Sequence, residues 1–122
     1  MNSQLSRADQ LEKRLITFAA AVLSLSAKLP RTPQGRHISS QILRSGTAVA
    51  ANYGQARGAE SRQDFIHKLR VVFKELTETT IWLEVIAQRS MLPTEITAPI
   101  VAKKGTLSRF RRIQQTARSS ME

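Results

Sequence analysis

The chain contains no cysteine, which excludes a disulfide framework, a thiolate nucleophile and a cysteine-bearing zinc site, and makes a reducing cytoplasm the expected setting. With four prolines and five glycines in 122 residues, little forces the chain out of a helix. Aromatics are equally scarce: one Trp, one Tyr and four Phe cannot build a broad stacking platform for bases. Of the two histidines, neither follows a glutamate at the spacing of a di-iron bundle site, and no Ser-His-acid arrangement is visible. No enzymatic activity, cofactor or metal site is therefore expected. Long apolar runs are also missing, since Leu15 to Ala27, LITFAAAVLSLSA, is too short and too punctuated by Ser and Thr to span a membrane. Asp9 and Glu12 precede it where a secretory leader would carry positive charge, so export is not expected.

Acidic residues are in short supply as well: nine Asp and Glu face nineteen Lys and Arg, a net charge of +10 and a pI near 11.3. Such a balance favours a polyanionic partner, RNA or DNA, although the same charge can serve solubility alone. It is concentrated towards one end. From Lys103 to Glu122 six bases meet one acid, a net of +5.

What the chain has in abundance is helical periodicity. Leu11, Leu15, Phe18, Val22, Leu25 and Leu29 step by four and three, which aligns six apolar side chains along one seam. Ser6 and Asp9 form a capping box ahead of them, and Leu29-Pro30 ends the pattern, giving a first helix over about 7–28. Thr32-Pro33 opens a second over 33–57, with the seam Ile38, Ile42, Ser45, Val49, Asn52 and Ala56 and with Gly58 as a left-handed cap. Its many small residues predict close packing at the centre of the molecule. Ser61 and Asp64 cap a third helix over 62–90, with the seam Phe65, Leu69, Val72, Leu76, Thr79, Leu83 and Ile86. A fourth, over 97–118, carries a thinner stripe of Ile100, Leu107, Phe110 and Ile113, and Pro99 is tolerable only in its first turn. Four helices joined by short connections can bury their seams only against one another. The expected fold is all-α, a single domain over 1–122 forming an antiparallel up-down four-helix bundle.

The Leu29-Pro30 break, Gln41, Leu43-Arg44-Ser45, Ala51-Asn52-Tyr53, Asp64-Phe65, Lys68-Leu69, Lys74-Glu75, Glu78-Thr79 and Trp82-Leu83-Glu84 carry a family likeness. In these residues the chain resembles the bacterial four-helix bundle family first noticed as reading frames inside intervening sequences of 23S ribosomal RNA genes. The likeness covers about residues 18–92. It implies a bundle that assembles into rings, most often homopentamers, without established enzymatic activity. Related bundles act as accessory subunits of the reverse transcriptases of diversity-generating retroelements, which implies a second class of partner. The chain departs from the family pattern at Gln55, where members commonly carry glutamate, so a role resting on an acid there does not transfer.

Several polar residues stand out. Asn52 and Ser45 fall on the small seam of the second helix, where each is either a structural hydrogen-bonding group, within the bundle or between subunits, or part of a ligand site. Arg44 lies beside that seam with Glu75, Glu78 and Glu84 on offer from the third helix, so it is either an ion-pairing residue or a phosphate ligand. His67, Arg70 and Lys74 occupy the side of the third helix away from its seam. Lys104, Arg111 and Arg118 recur every seven residues on the fourth, flanked by Lys103, Arg109 and Arg112. Such a stripe can follow a phosphate backbone or remain a solvated face, and a lipid-binding role for it would sacrifice the apolar side the bundle needs. The expected function is a non-catalytic, basic, homo-oligomeric bundle that binds RNA or DNA through phosphates. The alternative is a protein-interaction subunit, with a reverse transcriptase as partner.

Overall fold

A computed structural model describes residues 6–101, with side chains described as far as residue 98. Four helices occupy the described residues, with no strand among them: α1 (Arg7–Ser26), α2 (Pro33–Arg57), α3 (Arg62–Gln88) and α4 (Thr94–Val101). Local chemistry sets each start. The Asp9 amide donates to Ser6 Oγ at 3.0 Å and the Ser6 amide to Asp9 Oδ2 at 3.4 Å, a reciprocal capping box. Thr32 Oγ1 accepts from the Gly35 amide with Pro33 in the first turn, and Ser61 Oγ accepts from the Asp64 amide.

α1 and α3 each end two residues before the expected 28 and 90, and two closures differ from expectation. Gly58 closes α2 at φ −95°, outside the left-handed region, because the chain turns there with the Gly58 amide bonded to the Gln55 carbonyl. The left-handed residue is Ser90, at φ 51°, just past α3. It lets the Met91 amide reach back to the Ile86 carbonyl at 3.0 Å, the longer bond of a Schellman closure. The last helix starts at Thr94 rather than at 97, which makes Pro99 its sixth residue and removes the backbone bond that position would donate.

All six expected seam residues of α1 are buried. On α2 and α3 the seam shifts by one residue at one end of each. Tyr53 (3% exposed) enters the core where Asn52 was expected, and Ile66 does so in place of Phe65, while Asn52 and Phe65 become half-buried edge residues. A straight helix repeats every 3.6 residues, so a 4-3 stripe drifts by about 20° per heptad. By the end of α2 positions 52 and 53 flank the seam equally, and the ring buries far more apolar surface than the amide, at about 1.5–3 kcal/mol for a large side chain.

α2 packs against both α1 and α3, and α4 touches α3 and α1. Proceeding along α2, Ser39 Oγ donates to the Ser26 carbonyl, Gly46 backs onto Val22, and Arg57 meets Glu12 and Asp9, so α1 is met in descending order. Gly46 leaves no room for a side chain against α1: a Cβ there would stand 2.6 Å from Val22 Cγ1.

Candidate nucleic-acid interface

The register between α2 and α3 places polar side chains of both helices along one outer seam. Near its middle Arg44 Nη2 donates to Glu78 Oε2 at 2.5 Å and Nη1 to Glu75 Oε1 at 3.4 Å. The guanidinium is half exposed and already holds two carboxylates, so it serves as a tie between helices. Its bond, helped by the Trp82 indole N–H at 3.1 Å, keeps the Glu78 carboxyl below its usual range, and the two acids push the Arg44 value up. The Trp82 ring also meets His37 edge to face at 6.2 Å.

Directly beneath, the hydroxyls of Ser45 and Thr79 meet at 2.8 Å with both residues fully buried. Thr79 Oγ1 lies 2.8 Å from the Glu75 carbonyl as well. One proton cannot serve both acceptors. With Thr79 donating to the carbonyl, Ser45 donates to Thr79 and both hydroxyls are satisfied.

Asn52 does not share that buried role. It lines a cavity of about 230 Å³, open to solvent, together with Gln55, His67, Lys68 and Val71. Lys68 Nζ is held by both oxygens of Asp64, at 2.7 and 2.9 Å. That ammonium, followed by the Glu60 amide, keeps the Asp64 carboxyl below its usual range. Asn52, Gln55 and His67 form no hydrogen bond through their side chains among the described residues. In the sequence Gln55 stands out only as a departure from the family pattern and Lys68 only as part of the family likeness, neither as lining a site. The signal was there in the Arg44–Glu75 match, which sets residues near 52 beside those near 67.

At the junction of α1 and α2, Arg57 Nη1 bonds Glu12 at 2.6 Å and Asp9 at 2.9 Å. The Ser6 hydrogen bond and then Arg57 lower the Asp9 value, while burial raises that of the neighbouring Tyr53 phenol. Residues 6–101 contain thirteen Lys and Arg and eight Asp and Glu. Five of those acids (Asp9, Glu12, Asp64, Glu75 and Glu78) are taken up by three cations, Arg44, Arg57 and Lys68. Thirteen less three leaves ten cations outside any ion pair among the described residues, Arg70 and Lys74 on the exposed side of α3 among them. Lys103, Lys104, Arg109, Arg111, Arg112 and Arg118 lie outside the described residues.

One exposed face is uncharged instead. Ile16, Ala20 and Leu23 on α1 and Ala27 at its C-cap step by four, three and four, all exposed, with Ile16 at 54% and Leu23 at 52%. Among the described residues no helix is long and apolar enough to cross a membrane, and no group of three or more His, Cys, Asp or Glu is placed to hold a metal ion.

These features define a basic protein, helical throughout its described elements, that exposes the unpaired cations Arg70 and Lys74 on α3 and an uncharged apolar strip on α1. Residues 9–120 match the family described as 23S rRNA-intervening sequence protein, and the chain belongs to that family. It is similar to a crystal structure of a protein of unknown function from the S23 ribosomal protein family of Bacteroides thetaiotaomicron. The two share 30% sequence identity and a TM-score of 0.81 over 90% of this chain and 99% of the other. Among curated proteins, none matches.

Proposed function

We propose that the chain is a non-catalytic, cytoplasmic, antiparallel up-down four-helix bundle that assembles as a homo-oligomer and binds RNA or other nucleic acid through phosphate contacts. The observation that carries this reading is the uneven pairing of charge: folding ties five acids to only three cations and leaves ten cations unpaired among the described residues. Arg70 and Lys74, beside His67, supply contacts from α3, and Lys103, Lys104, Arg109, Arg111, Arg112 and Arg118 add theirs from the C-terminal segment. Each neutralised phosphate releases counterions whatever the base. The family's association with 23S rRNA intervening sequences agrees with an RNA partner. Titrating the full chain against a labelled 20-nucleotide single strand tests it: affinity falls about ten-fold or more between 50 and 200 mM salt. Binding indifferent to salt, or no binding at 50 mM, refutes it.

The apolar face of α1 favours assembly. Ile16 and Leu23 stand a heptad apart in a stretch, residues 15–27, without one charged side chain. Such a face can be covered by further copies of the chain, up to a pentameric ring, where repeated weak phosphate contacts would add up to avidity. It equally favours the second reading, an accessory subunit docked on a protein such as a retroelement reverse transcriptase. Native mass measurement of the free protein separates the two, since only self-assembly gives a multimer without a partner.

A further inference from the structure

The notch between α2 and α3 is too small for a large ligand, and four of its five lining residues carry polar side chains. Its volume of about 230 Å³ falls below the roughly 300–1,000 Å³ of sites for drug-sized molecules, leaving room for one planar ring system. Val71 gives it an apolar wall, and Asn52, Gln55 and His67 bring donors and acceptors whose side chains make no hydrogen bond among the described residues. It is not an anion site. Lys68, its one cation, is neutralised by the bidentate Asp64 contact, so a phosphate entering it would meet a carboxylate as well as an ammonium. The group that suits it is flat, uncharged and edged with donors and acceptors. Side-chain amides read such edges bidentately, and imidazoles stack on their faces. Arg70 and Lys74 follow His67 by three and seven residues, so unpaired cations lie within two turns of the notch on the same helix. A polyanion held there brings bases with it.

We propose that the cavity formed by Asn52, Gln55, His67, Lys68 and Val71 seats one unpaired nucleobase of a single strand whose phosphates are held by Arg70 and Lys74. This rests on the phosphate-binding reading and adds to it a contact that phosphates cannot provide. Gln55 is central to it. Glutamate at that position would set a second carboxylate beside Asp64 and remove the amide donor.

The test compares labelled ten-nucleotide oligoadenylate and oligouridylate with an abasic ten-mer of equal charge, at one salt concentration, using the full chain. Wild-type protein is expected to bind at least one base-bearing strand about ten-fold more tightly than the abasic one. That ratio should fall to about one in Gln55→Glu and in Asn52→Leu, each checked for unchanged helicity. Gln55 is exposed, so its replacement keeps the test valid should Asn52→Leu disturb packing. Arg70→Gln with Lys74→Gln should weaken all three strands while preserving the ratio. Equal affinity for abasic and base-bearing strands, or a ratio that survives Gln55→Glu, overturns the notch proposal and leaves phosphate binding standing. Failure to bind any of the three overturns both.

Discussion

Ser45 and Thr79 join α2 to α3 through a buried hydroxyl pair at 2.8 Å, in a core whose other members are almost all aliphatic. Ser45→Ala should cost about 1 kcal/mol, since Thr79 keeps the Glu75 carbonyl. Thr79→Val should cost more, about 1–3 kcal/mol, because it strands the Ser45 hydroxyl. The double variant should be more stable than the sum of the two losses predicts. Urea unfolding monitored by helicity measures all three, and strict additivity would mean the hydroxyls do not interact.

Gly46→Ala sets a methyl 2.6 Å from Val22 Cγ1, where α2 packs against α1. The expected loss is about 1–3 kcal/mol, against the gain Ala brings to an exposed helix position. Val22→Ala should relieve part of that clash. A double variant whose loss equals the sum of the two single losses would contradict the contact.

The left-handed residue after α3 predicts the opposite sign. Ser90 adopts φ 51°, a conformation that glycine takes up without strain. Ser90→Gly should raise stability by about 0.5–1 kcal/mol, read from the denaturation midpoint. No other described non-glycine residue has a positive φ, so the same change at Arg89 should be neutral or destabilising.

Asp9, Asp64 and Glu78 all have lowered values through hydrogen bonds to partners in the folded state. A carboxyl whose folded value lies below its unfolded one contributes stability above the unfolded value and loses it as pH falls through the folded one. Thermal unfolding should therefore be level from about pH 7 to 5 and then drop progressively below about pH 4. Glu78→Gln should flatten part of that drop. An acid limb identical in Glu78→Gln would show that the Arg44 pair contributes nothing.

Much of this was readable in the chain, and the failures share a cause. The α1 seam was legible because every fourth or third position from Leu11 to Leu29 is large and apolar, and periodicity alone settles such a stripe. Arg44's partners were legible because Glu75 and Glu78 offered charge on the neighbouring helix. Asn52 and Tyr53 were not separable, since drift of the helical repeat brought both to the boundary and only tertiary packing chose the ring. The Ser90 closure had no glycine to announce it. The notch joins residues from two helices, none unusual alone, and appears only once their register is known.

The most direct test measures the salt dependence of single-stranded RNA binding for the full chain, for Arg70→Gln with Lys74→Gln, and for Arg44→Gln as a control. If the unpaired cations of α3 hold phosphates, the double variant lowers the slope of log affinity against log salt by about two, while Arg44→Gln leaves it unchanged because its charge is taken up by Glu75 and Glu78. A slope unmoved by the double variant, or moved as much by Arg44→Gln, would contradict the interface.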